Sequence, residues 1–186
     1  AIAKANEKDN PTPKGQGGGP LISDSFETLD KERWELIGGD WSHSPGQLEQ
    51  KRDGKTRSAL RLASKPPRDF DATVRLTIKT GSMWRSVGLV FDAAEGDPTK
   101  NSLPEYFEKQ VYLSAYARGP KIHSSYVEKG QSHYPPAPAV KPLPIQLNTE
   151  YTLRVQIRGR LINAFVNGQL VIACETPLPR RGGRMA

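Results

Sequence analysis

Cysteine is almost absent from this sequence of 186 residues, which contains only Cys174. A single cysteine cannot form an internal disulfide, and without a CxxC or CxxCH pair the chain encodes neither a zinc ribbon nor covalent haem attachment. The three histidines are scattered along the chain and no GxSxG motif occurs, so nothing in the sequence supports a catalytic triad. We interpret Cys174 as a small apolar strand residue.

Long hydrophobic runs are missing as well, and no stretch approaches the roughly 18 apolar residues of a membrane-spanning helix. No signal peptide is visible, so the N-terminal end does not indicate a compartment. The formal net charge is +7, but Lys and Arg are interleaved with Asp and Glu along most of the chain. Because a nucleic-acid footprint concentrates basic residues on one face, we expect neither a nucleic-acid partner nor a membrane span.

No segment carries the apolar spacing of an amphipathic helix, whereas alternation of apolar and polar residues recurs throughout. Residues 151–158 and 70–79 alternate strictly. Gly159-Arg160 and Asn167-Gly168 are two-residue turn signals, so residues 151–174 predict a three-stranded antiparallel meander. Short strands at regular spacing predict an all-β fold, a two-sheet antiparallel β-sandwich or jelly roll.

The composition divides the chain into two parts. Residues 1–20 are rich in charge, proline and glycine, so we expect a disordered or linker segment there. Residues 21–186 form the predicted β-sandwich domain, which opens with a short strand at residues 21–26. Residues 130–144 contain five prolines and predict a long loop, since proline is excluded from central strands.

A candidate binding surface lies on the polar side of two predicted strands, Trp84 to Asp92 and Gln110 to Arg118. Sugars present apolar C–H faces ringed by hydroxyls, so tyrosine and tryptophan beside fixed polar groups suit them. Arg85 could hold a carboxylate or sulfate bidentately, and Tyr134 with the two following prolines could form a lid. The predicted ligand-binding residues are Trp84, Arg85, Ser86, Gln110, Tyr112, Ser114 and Tyr116.

A structural alternative stays open for the same surface. Tyr112 and Tyr116 could simply cover the second face of the sheet beneath the proline-rich loop. In that case their loss would reduce stability, and no ligand would be involved.

Catalysis and metal binding have weak support in the sequence. A glycosidase needs two carboxylates on one surface, but Asp71 and Asp92 fall on different strands and Glu105 and Glu108 fall in a predicted loop. We therefore predict no catalytic residues. Asp24 and Asp92 could contribute to a structural calcium site, but no dense loop of oxygen ligands is present, so we predict no metal and no cofactor.

Several segments resemble a known superfamily. SDSF (23–26), RWELIGGDWSHSPGQLEQ (33–50), DFDATVRL (69–76), GLVFD (88–92), QVYLSAY (110–116) and YTLRVQIRGRLINAFVNGQLV (151–171) resemble the strands of the concanavalin A-like lectin/glucanase superfamily, the laminin-G-like jelly roll. More narrowly, WRSVGLVFD (84–92), YLSAYARGPKIH (112–123) and LPRRGGRMA (178–186) resemble the jelly-roll segment of large secreted bacterial proteins that also carry cytochrome-c-like domains.

This resemblance implies a carbohydrate-facing module of an exported multidomain protein, hence an extracytoplasmic location and neighbouring domains of the same chain as partners. The sequence departs from the superfamily in two respects. The ExDxxE motif of its glucanases is absent. The family pattern also continues into a final strand after RRGGRMA, so we expect the domain to lack that closing strand or to receive it from elsewhere.

Three functions remain open at this point. We favour a non-catalytic module that binds a polysaccharide or glycoconjugate, because aromatic and polar residues alternate on the candidate surface. The second is an enzyme of the same fold with non-standard catalytic residues that acts on a glycoside. The third is a structural module that packs against other domains and binds no ligand.

Overall fold

The computed structural model describes residues 22–54, 56–80 and 85–186. The strands are β1 (Trp34–Ile37), β2 (Trp41–Ser44), β3 (Gln47–Gln50), β4 (Ala59–Leu62), β5 (Phe70–Thr77), β6 (Ser86–Phe91), β7 (Glu108–Ser114), β8 (Lys121–Glu128), β9 (Gln131–His133), β10 (Val140–Pro142), β11 (Glu150–Arg158), β12 (Leu161–Val166) and β13 (Gln169–Glu175). The one helical element within the described ranges is a 3-10 turn, Pro98–Lys100, and no helix there is long and apolar enough to cross a membrane. The predicted all-β fold is confirmed.

The meander of β11, β12 and β13 follows directly from its turn residues. Gly159 has a φ of 54°, a conformation that glycine adopts without steric cost. Asn167 and Gly168 have φ values of 50° and 81°, as a type I′ turn requires at its two central positions. Each hairpin loop therefore has two residues and the strands pair antiparallel as predicted, with a register shift in the β12–β13 pair between Ala164 and Phe165.

The first large sheet has the strand order β5, β11, β12, β13, with all pairs antiparallel. Along β11, Leu153, Val155 and Ile157 are completely buried, while the residues between them are partly exposed. This alternation places one face of the sheet on the core and the other towards solvent.

The second large sheet has the order β6, β7, β8, β10, and β9 also pairs with β8. β10 pairs with the first part of β8 and β9 with the last part, both antiparallel. Three of the five prolines between residues 130 and 144 lie in the loop that joins β9 and β10, Pro142 lies in the edge strand β10, and Pro144 follows that strand. A missing N–H is tolerated at such positions. The prediction that this segment forms no central strand is correct. The segment is not one long loop, however, because it contains the short edge strands β9 and β10.

The core lies between the inner faces of the two large sheets. β7 and β8 contribute Val111, Leu113 and Ile122, which are fully buried. Phe70 and Phe91 meet edge to face from opposite sheets, with ring centroids 5.8 Å apart. Burial of such side chains from both sheets is the main source of stability in a sandwich.

Residues 184–186 connect the small β1–β4 sheet to the second large sheet. Val90 and Ala186 exchange two backbone hydrogen bonds, of 2.6 and 3.0 Å. On the other side, the Leu62 amide donates to the Met185 carbonyl at 2.9 Å. The last three residues therefore lie between β4 and β6, and they bring β1 and β4 alongside the large sheet.

A buried cluster of charges fixes the segment that leads to these residues. The carboxylate of Asp92 accepts hydrogen bonds from Lys109 Nζ at 3.0 Å and from Arg180 Nε at 2.7 Å, and all three side chains are buried. Burial alone would raise the pKa of Asp92, but the hydrogen bonds from Arg180 and Lys109 hold it below its usual value. Burial lowers the pKa of Lys109.

Two predicted strands have different bounds in the structure. Residues 22–26 form no strand, because Asp24 accepts a hydrogen bond from the Phe26 amide and Phe26 has a φ of 58°, which is a turn conformation. β7 begins at Glu108 and ends at Ser114, so it starts earlier and ends earlier than predicted.

Candidate functional site

The side of the β6–β7–β8 sheet that faces away from the core carries mostly polar residues, of which Ser114, His123 and Ser125 are buried. In the strand register, Ser86, Ser114 and Lys121 form one row; Gly88, Tyr112 and His123 form the next; and Val90, Gln110 and Ser125 form the third. We call this surface the polar face. Leu89, Val111 and Ile122 point the other way, into the core.

Four of the predicted ligand-binding residues share the polar face. Ser86, Gln110, Tyr112 and Ser114 occupy adjacent positions on β6 and β7, as period-two alternation predicts. Trp84 lies outside the described residues.

The remaining two predicted residues lie beyond the strands of the polar face. Arg85 directly precedes β6, and its carbonyl accepts a hydrogen bond from the Ala115 amide at 2.8 Å. Tyr116 follows β7 in a turn that the Gly119 amide closes by donating to its carbonyl at 3.0 Å. The structure therefore does not place Tyr116 in the strand row with Tyr112.

A recess lies beside the polar face, near the start of β7. Glu108 forms an ion pair with Arg57 and accepts a hydrogen bond from the Tyr106 hydroxyl at 2.7 Å. Arg57 Nη2 donates to Gln110 Oε1 at 2.9 Å, and Gln110 Nε2 donates to Ser125 Oγ at 2.7 Å. One chain of polar contacts thus links the recess to the polar face.

A second group of charges forms another part of the wall of the recess. Arg61 and Arg184 both pair with Glu35, at 2.7 and 2.9 Å. Arg61 Nη1 also donates to the backbone carbonyls of Glu95 and Gly96, at 3.1 and 2.9 Å. These contacts join β1, β4, residues 184–186 and the loop after β6 into one rigid boundary.

Four buried side-chain atoms in the described part of the chain have no hydrogen-bond partner: Arg57 Nη1, Ser58 Oγ, Glu108 Oε1 and Arg184 Nε. All four residues line the same recess. Arg57 Nη1 and Glu108 Oε1 lie within ion-pair distance of each other, but without hydrogen-bond geometry. Arg184 Nε lies 3.7 Å from Glu95 Oε2, so within the described residues Ser58 Oγ is the one atom of the four with neither a hydrogen bond nor an ion pair. Since nearly all buried polar groups in proteins are hydrogen-bonded, these incompletely satisfied groups indicate a place for a polar ligand or for water.

The size of the recess limits what it can hold. Its volume of about 40 Å³ accommodates about three water-sized groups, at roughly 10–15 Å³ each. A sugar ring therefore cannot enter the recess, whereas two or three hydroxyls from the edge of a ring can.

An aromatic row lies further along the polar face. The ring of His123 lies between the rings of Tyr112 and Tyr134, with both centroid distances 5.8 Å. His123 is 3% exposed, and its Nε2 lies 2.9 Å from the Pro135 carbonyl oxygen. Because that oxygen only accepts, Nε2 carries the proton, and Nδ1 faces the Tyr112 hydroxyl at 3.4 Å.

Burial sets the protonation of this row. It lowers the pKa of His123, and Lys121 on the same strand lowers it further, against the effect of the Pro135 carbonyl. Burial also raises the pKa of Tyr112 to about 12. His123 and Tyr112 are therefore neutral near pH 7.

Several residues of this site were missed by the sequence analysis. His123 lies on β8, where period-two alternation puts it on the same face as Ser125. Glu108 was assigned to a loop because the apolar alternation that marks β7 begins only at Val111, whereas the strand itself begins at Glu108. Arg57 comes from the segment before β4, and no local signal indicates that it reaches Gln110, 53 residues away.

Asp71 and Asp92, the strand carboxylates considered for catalysis, do not lie together on one surface. Asp71 lies on the outer face of the other sheet, bound to Arg154 at 2.7 and 2.9 Å. Asp92 is buried with Lys109 and Arg180. Within the described residues, no group of three or more His, Cys, Asp or Glu side chains converges as a metal site would require.

This chain is similar to known proteins in structure, but no similarity to them was found in sequence. No protein-family model and no curated protein sequence matches this chain. Among solved structures, the carbohydrate binding module CBM66 from Bacillus subtilis matches with a TM-score of 0.66 and 19% identity over 89% of each chain.

Two enzymes also match the structure. The Bacillus licheniformis β-glucanase has a TM-score of 0.59 and 14% identity over 87% of this chain and 80% of its own. The κ-carrageenase from Pseudoalteromonas carrageenovora, solved with an oligotetrasaccharide, has a TM-score of 0.52 and 15% identity over 87% and 76%. Together with the two antiparallel sheets, these likenesses show that the chain has the concanavalin A-like jelly-roll fold.

Proposed function

We propose that this chain is a non-catalytic carbohydrate-binding module whose ligand lies on the polar face with the edge of one sugar ring in the recess. The observation that carries the proposal is the convergence on that recess of four buried polar atoms that form no hydrogen bond. They comprise two arginine donors, one carboxylate acceptor and one hydroxyl. Vicinal sugar hydroxyls both donate and accept, so they match this mixed set.

Charge favours a neutral group at the recess over an anion. Arg57 pairs with Glu108, Arg61 and Arg184 share Glu35, and Arg184 also lies 3.7 Å from Glu95, so three carboxylates balance the three arginines. An anionic group would have to approach the unpaired oxygen of Glu108, and that contact is repulsive. Hydroxyls meet both the guanidinium and the carboxylate without such a penalty.

The structural neighbours support the same class of ligand. One is a carbohydrate binding module, and two others act on or were solved with polysaccharide fragments. Since identity to them is below 20%, the proposal rests on the side chains of this chain.

The carboxylates favour binding over catalysis. Glycoside hydrolysis needs an acid and a nucleophile or base on either side of the scissile bond. Among the described side chains that line the recess, Glu108 is the one carboxylate, and its two oxygens face Arg57 and Tyr106. We therefore infer that the polar face holds a sugar without cleaving it.

We also infer that the module belongs to an exported multidomain protein and faces an extracytoplasmic polysaccharide or glycoconjugate. This inference rests on the resemblance of residues 84–92, 112–123 and 178–186 to the jelly-roll segment of large secreted bacterial proteins. Neighbouring domains of the same chain would then be its partners.

A binding experiment with matched arginine variants tests the proposed function. The wild-type chain is screened on an array of neutral and acidic glycans, and the best ligand is titrated by calorimetry. Arg57→Met removes a donor at the recess, whereas Arg154→Met removes an arginine that pairs with a carboxylate on the other sheet. We expect Arg57→Met to weaken binding about 10-fold or more, the equivalent of roughly 1.5–3 kcal/mol for a charged hydrogen bond.

The control variant Arg154→Met is expected to bind within about twofold of wild type, since its site lies on the opposite side of the sandwich. The proposal is wrong if the wild-type chain binds no glycan, or if both variants lose affinity equally.

A further inference from the structure

The loop between β9 and β10 presents one aromatic ring to solvent beside the polar face. Tyr134 is 62% exposed, more than any other large apolar side chain in the described part of the chain. A single exposed tyrosine is ordinary on a protein surface. The position of this ring and the way it is held distinguish it from such a residue.

The loop is fixed at both ends. β9 and β10 both pair with β8, so residues 134–139 span two strands that belong to the same sheet. Within the loop, the Ala139 amide donates to the Pro136 carbonyl at 3.0 Å, and the Ser124 amide donates to the Ala139 carbonyl at 2.8 Å. The backbone next to Tyr134 thus has little freedom to move.

The ring of Tyr134 is supported from the sheet side. It contacts the His123 ring at 5.8 Å with an interplanar angle of 45°, and His123 in turn binds the Pro135 carbonyl. His123 is buried, so the support is rigid while most of the tyrosine stays accessible. A large, pre-positioned aromatic surface contributes contact area to a ligand at low cost in conformational entropy.

The Tyr134 ring and the recess lie apart on the same face. Glu108 and Tyr112 are four residues apart on β7, which corresponds to about 13 Å at roughly 3.3 Å per residue. Tyr134 contacts the ring of His123, which is the cross-strand neighbour of Tyr112. A ligand that reaches both places must be longer than one sugar unit.

We propose that Tyr134 is the stacking platform of a second sugar subsite, so that the ligand is an oligosaccharide of three or more units with one ring exposing an apolar C–H face. This inference rests on the proposed function and deepens it. The recess takes the hydroxyls of one unit, Gln110 and Ser125 lie under the middle of the ligand, and Tyr134 stacks on a later unit.

The test compares ligand lengths in the full chain. Wild type, Tyr134→Ala, Tyr134→Phe and Arg57→Met are titrated by calorimetry with gluco-, fructo- and galacto-oligosaccharides of one to five units. In the series that binds, we expect wild-type affinity to rise about fivefold or more between one and four units. Tyr134→Ala should abolish that rise and leave the affinity for the single unit unchanged, whereas Tyr134→Phe should keep it because the ring remains.

The control variant is Tyr126→Ala, which removes an aromatic ring on β8 that stacks on His133. It should preserve the dependence on length. Arg57→Met should weaken binding of every length by a similar factor.

The outcomes separate the two proposals. The second subsite is wrong if wild type binds all lengths equally. It is also wrong if Tyr134→Ala keeps the increase of affinity with length, or weakens binding of every length by the same factor. In each of these cases carbohydrate binding itself stands. If wild type binds none of the oligosaccharides and no glycan on the array, the proposed function itself is wrong.

Discussion

Gly88 on β6 lies directly opposite Tyr112 on β7, so closely that a Cβ atom on Gly88 would stand 2.4 Å from the Tyr112 Cα and 2.1 Å from the Val111 carbonyl oxygen. Both distances are to backbone atoms, which cannot move without disturbing the strand pair. The glycine therefore lets β6 and β7 approach at the middle of the polar face.

We expect Gly88→Ala to lower the free energy of unfolding by about 1–3 kcal/mol, the usual cost of inserting a methyl group into a packed site. Gly96→Ala is the matched control, because a Cβ there has no neighbour within 4 Å. Denaturant unfolding of both variants measures the difference. Equal stability of the two variants would show that the strands separate easily at this point.

The buried cluster at Asp92 predicts a second, larger effect. Asp92→Ala leaves Lys109 and Arg180 buried without a counter-charge, and breaking a buried pair in this way costs about 3–5 kcal/mol. Asp71→Ala is the control, because the Asp71–Arg154 pair is about one third exposed and such pairs contribute about 1 kcal/mol or less. A loss at Asp92 no greater than the loss at Asp71 would mean that the cluster does not hold the segment carrying Arg184.

His123 makes the stability of the domain depend on pH. Its pKa is lowered in the folded protein, chiefly by burial, so the folded state disfavours the protonated form. The stabilising contribution is therefore complete above the unfolded value of about 6.5 and is lost as the pH falls below it. Asp92, whose pKa is also lowered, acts only at more acidic pH, around and below the usual aspartate range.

Thermal unfolding between pH 7.5 and pH 5 tests this prediction. The midpoint of the wild-type chain should fall by about 2 °C or more, since 1 kcal/mol corresponds to roughly 2–4 °C in a domain of this size. His123→Gln, which can still donate to the Pro135 carbonyl, should reduce that decline. The same pH dependence in both proteins would assign it to other groups.

Local patterns predicted most of the fold. Period-two alternation located β5, β6, β11 and most of β7, and two turn dipeptides located the hairpins of the meander. These elements are determined by neighbours in sequence. The pairing of residues 184–186 with β6, in contrast, depends on contacts across more than 90 residues, and no periodicity indicates them.

The candidate site could be predicted only where it lies on strands. Ser86, Gln110, Tyr112 and Ser114 come together on one face because alternation and antiparallel pairing place them there. Arg57 and Tyr134 come from connecting segments, whose paths over the sheet are fixed by tertiary contacts. Tyr112, which the sequence suggested as a platform, is half-buried against His123, and the more open ring in the row is Tyr134.

The most direct test of carbohydrate binding on the polar face is nuclear magnetic resonance. Backbone amide shifts of the isotope-labelled chain are followed while the best glycan from the array is added. Binding on the polar face should perturb the amides of Gln110, Tyr112 and Ser125, and leave those of Arg154 and Gln156 on the outer face of the other sheet unchanged. Perturbations confined to the outer face of β11, or none with any glycan, would contradict the account.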